Sequence, residues 1–139
     1  MNPEETLYAV ESDKSVTGFV EDFAAVAASN GFVINNRATM DMKKTFQAHG
    51  GSVSEDFDLH MIQICKPTKA DKSLAANPER AILMPKFVHV FTKNNRTQVR
   101  YLGYSPAYIA SMVKDDSAFP DSLAQTFGTI RAMIDEARK

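Results

Sequence analysis

The stretch "AILMPKFVHVFTKNNRTQVRYLGY", residues 81–104, decides the fold. Two runs rich in Val, Phe, Thr and Tyr flank the dipeptide Asn94-Asn95. β-Branched and aromatic residues suit a pleated, half-buried surface, and paired asparagines tolerate the tight turn of a hairpin. The pattern predicts one strand over 81–93 and a second over 96–104, paired antiparallel. Pro85 has no N–H to donate, so it predicts an edge position or a bulge in the first strand.

Working outward, residues 6–12 ("TLYAVES") alternate as a first strand. Val16, Phe19, Val20, Phe23, Val26 and Ala27 recur at helical spacing, with Ser15 placed to cap the start and Gly31 to end the helix. Residues 32–38 read as the returning strand, and a short helix follows, capped by Thr39 or Asp41 and ended by Gly50-Gly51. Residues 58–65 ("DLHMIQIC") form an apolar strand, expected to be buried on both faces. "PTKADKSLAANP" predicts a helix capped by Thr68 and stopped at Asn77-Pro78. Ser105-Pro106 opens another short helix. In the last segment Leu123, Phe127, Ile130, Ile134 and Ala137 make one apolar stripe. The expected architecture is α+β: a mainly antiparallel sheet with helices packed on one face and a long C-terminal helix.

With 139 residues and no repeat or linker, the chain reads as a single domain over 1–139. A formal net charge of −1 argues against a general nucleic-acid binder. No apolar run is long enough to span a membrane. The acidic start "MNPEETLYAVES" carries no signal-peptide pattern, so a cytoplasmic location is expected, a removed leader aside. The single cysteine forms no internal disulfide. Charge is uneven: residues 1–65 hold 4 basic and 10 acidic side chains, whereas residues 66–100 hold 8 basic and 2 acidic. That segment is either a basic surface for an anionic ligand or a solvated face balanced in space by the acidic half.

The basic segment begins at Cys65, where a strand ends and "KPTK" opens a helix. A helix start presents unpaired N–H groups and the positive end of the dipole. A thiol there, with Lys66 and Lys69 near, would shift toward thiolate, and the same geometry would hold a phosphate, sulfate or carboxylate. The other reading makes Cys65 a small buried hydrophobe. His60 shares a strand face with Ile62 and Ile64; His89 lies between Val88 and Val90. On neighbouring strands the two would be candidates for a metal or haem iron, and otherwise each is a satisfied core or edge residue. His49 is read as a helix-end residue. The methionines fall mostly on apolar positions and read as core, with an adaptable pocket as the alternative. Tyr101, Tyr104 and Tyr108 fit half-buried packing or a pocket mouth. No phosphate-binding glycine loop, nucleophile elbow or acid/base carboxylate pair is present.

The segment Cys65-Lys66-Pro67, "TKADKSLAANPERA" and "ILMPKFVHVF", with the upstream "SNGFVINNRATMDMKKTF", resembles the family known as domain of unknown function 302. Members carry a strand ending in Cys-Asn-Pro, a short helix, and a strand of the type x-L-x-P-C-x-V-x-V. The likeness covers roughly residues 7–137. It implies a small α+β domain, often a homodimer, with no established enzymatic activity. Only Cys65, Pro67, Pro78 and Pro85 carry over by motif. Lys66 stands where the family has asparagine, and Lys86 where it often has a second cysteine. Half of any cysteine pair is therefore missing, which favours ligand binding over thiol redox chemistry.

Three functions follow as expectations. The first is a non-enzymatic, homodimeric module binding a small anionic or amphipathic ligand through Cys65, Lys66, Thr68, Lys69 and Lys86. The second is a thiol or sulfur-handling enzyme with Cys65 as nucleophile and His60 or His89 as base. The third is a haem or metal protein built on His60 and His89. No cofactor is specified by the residues.

Overall fold

The computed structural model describes residues 5–84 and 86–139. Its elements are β1 (Glu5–Ser12), α1 (Val16–Ser29), β2 (Val33–Ile34), α2 (Met42–Ala48), β3 (Leu59–Cys65), α3 (Pro67–Ala76), a 3-10 helix (Pro78–Leu83), β4 (Lys86–Lys93), β5 (Arg96–Tyr104), α4 (Pro106–Met112) and α5 (Phe119–Ala137). The strands form one sheet in the order β1-β5-β4-β3-β2, and every pairing is antiparallel. The α+β architecture expected from the hairpin is the one observed.

The β4–β5 hairpin forms as read. Asn94 and Asn95 adopt φ of 56° and 59°, the double left-handed conformation of a tight hairpin turn, and Lys93 pairs with Arg96. Alternation then sorts the sheet into two faces. Ile62, Ile64, Val88, Val90, Val99 and Tyr101 point to the helices and are fully or nearly fully buried. They meet Phe19, Val20 and Phe23 of α1 and Leu123, Phe127, Ile130 and Ile134 of α5. Burying each of these large side chains stabilises the fold by about 1.5–3 kcal/mol before the entropy of ordering is subtracted. Ser15 caps α1 by accepting from Gly18 N, and Gly31 leaves the helix at φ 79°.

Four expectations need correction. β3 is buried on one face only: Leu59, Met61 and Gln63 remain half-exposed on the side without helices. The returning strand is two residues long rather than seven. After Asn35 the Asn36 side chain takes over the pairing, donating to Met61 O and accepting from Gln63 N, and the backbone turns away. Residues 81–83, expected to start the strand, belong instead to the 3-10 helix, because Asn77 accepts from Glu79 N and begins a new turn. The helix α3 begins at Pro67 with Lys66 at its cap position, not at Thr68. β4 lies in the middle of the sheet; the Pro85 reading falls outside the described residues.

Candidate functional site: a lysine-lined cleft

β3 ends at Cys65 and α3 starts at Pro67, so the strand–helix junction delivers Cys65, Lys66 and Lys69 to one place. α5 passes beside α3, and β4 begins next to β3. Between them is a narrow cleft lined by Cys65, Lys66, Lys69, Lys86 and Thr126, with Phe32, Met84, Phe119 and Leu123 forming its apolar wall. The space open to water centres is about 30 Å³, room for about two water molecules. No acidic side chain lines the cleft among the described residues.

Each ammonium is held by neutral partners. Lys69 Nζ donates to Ser122 O at 3.1 Å and to Thr126 Oγ1 at 2.6 Å. Lys86 Nζ donates to Met84 O at 3.1 Å. Lys66 Nζ lies 5.6 Å from the centre of the Phe32 ring. Burial, and then repulsion from Lys66, holds the Lys69 ammonium below its ordinary pKa. Burial also pushes Lys86 down; a Cys65 thiolate would oppose that shift and Lys69 adds to it. Lys86 sits on the helix-covered face opposite Ile64, a position that alternation assigns to an apolar side chain. Cys65 is partly accessible rather than buried.

The cleft walls are fixed by a part-buried ion pair. Asp116 receives Arg80 Nε at 2.6 Å and Arg80 Nη2 at 2.8 Å, and also accepts from Asn77 Nδ2 and Phe119 N. Arg80 Nη1 donates to Ser73 of α3, and its guanidinium lies 4.9 Å from the centre of the Phe119 ring. One bidentate pair thereby ties α3 and the 3-10 helix to the start of α5. The arrangement holds Asp116 far below the usual carboxylate range, through the Arg80 hydrogen bonds first.

Of the residues singled out in the sequence, Cys65, Lys66, Lys69 and Lys86 come together. Thr68 does not: it is exposed on the first turn of α3, away from the cleft lining. His60 and His89 are on neighbouring strands, but Met61 pairs with His89 and His60 with Val90. The two imidazoles therefore leave opposite faces and cannot share an iron or another metal. Neither serves Cys65 as base: His60 is five residues along the strand, roughly 16 Å away, and His89 is four rungs from it in register. His49 Nδ1 lies 2.9 Å from Thr45 O at the end of α2. Sequence reading missed Thr126 and Phe119, because the α5 stripe gives no sign of which neighbour it meets. The only hint was a hydroxyl beside Phe127 on an otherwise apolar face.

No helix among the described residues is long and apolar enough to cross a membrane. Among curated proteins, none matches the chain in sequence. The fold is similar to the crystal structure of an uncharacterised conserved DUF302 protein from Bacillus stearothermophilus, with a TM-score of 0.77 and 19% identity. That alignment covers 95% of this chain and 98% of the other. The sequence profile described as domain of unknown function DUF302 matches residues 8–137, nearly the whole chain. The chain belongs to the DUF302 family.

Proposed function

We propose that this domain is a non-enzymatic module that binds a small anion, carrying at most a short apolar group, in the cleft between α3, α5 and the adjoining ends of β3 and β4. The observation that carries the reading is the meeting of Lys66, Lys69 and Lys86 in a space with no lining carboxylate. Buried ammonium groups are costly unless an anion joins them. The start of α3 adds the positive end of its dipole on the same side. A phosphate, sulfate or carboxylate would restore charge balance, and Phe32, Met84 and Leu123 would cover a short apolar group. Haem is far larger than the space of about 30 Å³ between these walls. A thermal-shift series with inorganic phosphate, butyrate, butyl phosphate and haem tests this. Stabilisation by the phosphates or butyrate, and none by haem, is the expected result; no shift with any anion would overturn the proposal.

The homodimeric part of the reading rests on the uncovered sheet face. Leu7, Val33, Phe87 and Leu102 all stand on it, each at least 36% exposed. They make up four of the seven exposed large hydrophobic side chains among the described residues, so the apolar surface is concentrated rather than scattered. A second copy of the chain laid on this face would remove that surface from water.

A further inference from the structure

At the far end of β3 from the cleft, three ligand-type side chains converge. Asp58 precedes His60 by two residues, and the ladder reaches it through Thr92 N donating to Asp58 O, so both face the helices. Asp41 forms an antiparallel bridge with His60 and joins them on that face. Asp41 Oδ1 accepts from Lys43 N and Lys44 N at the start of α2. Its Oδ2 is left to lie 3.9 Å from His60 Nε2, and Asp58 Oδ1 lies 3.6 Å from His60 Nδ1. The His60 side chain is 12% exposed, and its Nδ1 is buried without a hydrogen-bond partner among the described residues.

These separations are too long for hydrogen bonds. A single ion takes one imidazole nitrogen, and the 3.6 Å between Asp58 Oδ1 and the unpartnered His60 Nδ1 is close to the spacing of two donors around it. Bonds of about 2.0–2.2 Å in a tetrahedral shell place donors about 3.4 Å apart. One donor atom from each of Asp41, Asp58 and His60 lies within 4.8 Å of the others. A modest closure of side-chain torsions would bring all three onto one ion. We propose that Asp41, Asp58 and His60 bind a single divalent first-row transition metal of the zinc type. The imidazole disfavours magnesium and calcium, which take oxygen ligands. Asp58 also borders a polar cleft of about 460 Å³ shared with Ser12, Ser15, Thr92 and Thr97. This site is separate from the lysine cleft and independent of it.

Calorimetry with Zn²⁺ and the visible absorption of added Co²⁺ test the assignment on the intact protein. One ion per chain is expected, with His60→Gln and Asp58→Asn each weakening binding at least about tenfold. His49→Gln and His89→Gln are expected to bind as the parent does, and excess Mg²⁺ is not expected to compete. Circular dichroism of the metal-free variants checks that they fold; should Asp58→Asn fail to, His60→Gln carries the comparison. Absence of binding at about 1 mM metal, a weak affinity by any measure, would overturn the assignment. So would binding that survives His60→Gln, or that is lost with His49 or His89 instead.

Discussion

Lys86 occupies a place in the sheet where its neighbours in register and alternation, Ile64 and Val88, are fully buried. Burial lowers its pKa from the ordinary 10.5. Between the lowered value and 10.5 the unfolded chain binds more protons than the folded one, so stability without ligand rises with pH across that window. Replacing Lys86 by Met reduces this slope and leaves the share of Lys69, whose pKa is also lowered; urea unfolding at about pH 8 and about pH 10 measures the difference. Asp116 gives a slope of the same sign in a lower pH window, but there the charged form is the stabilising one. Its pKa is depressed by Arg80, so its contribution is present above the ordinary 3.8 and is lost as pH falls below it. Asp116→Asn is therefore expected to lower the melting temperature at neutral pH, with the difference from the parent shrinking as the pH drops below 3.8. Cys65, Lys66 and Lys69 were legible as a group because a strand end and a helix start bring neighbours in sequence together. Asp41 and Thr126 were not, since each reaches its partner across elements whose pairing the sequence does not state.

The hairpin, α1 and α5 were legible because each carries a single period over many residues and ends on a residue with the right backbone chemistry. Asn94-Asn95 is the clearest case, with both residues at positive φ. Asn95→Val is expected to destabilise the protein by about 1 kcal/mol, since a side chain branched at Cβ resists that conformation. Asn95→Gly is expected to be neutral or mildly stabilising, and urea midpoints distinguish the two. What sequence reading lost were the places where a side chain replaced the backbone as a hydrogen-bonding partner. Asn36 ended β2 early by bonding to Met61 and Gln63, and Asn77 opened the 3-10 helix by capping Glu79. Asparagine competes with backbone pairing in this way, and composition alone does not say which side wins. The low polarity of β3 likewise suggested two covered faces, whereas α1, α4 and α5 all gather on one.

At the scale of the molecule, that one-sided arrangement sets apart two surfaces on which the proposed function rests. The bare face of the sheet exposes Leu7, Val33, Phe87 and Leu102, and the cleft at the β3–α3 junction gathers Lys66, Lys69 and Lys86 with no lining carboxylate among the described residues. The first predicts a dimer: light scattering should give twice the chain mass of 15.4 kDa, and Leu102→Arg should return the single-chain mass. In the second, the basic segment, the strand–helix junction and the α5 wall act together on one anion. The most direct measurement of that binding is calorimetric titration of the parent and of Lys86→Met with butyl phosphate near neutral pH. One site per chain in the parent, weakened at least about tenfold in the variant, is the predicted result, as expected when one member of a charge-assisted contact is removed. Equal affinity in both proteins, or no heat in either, would contradict it.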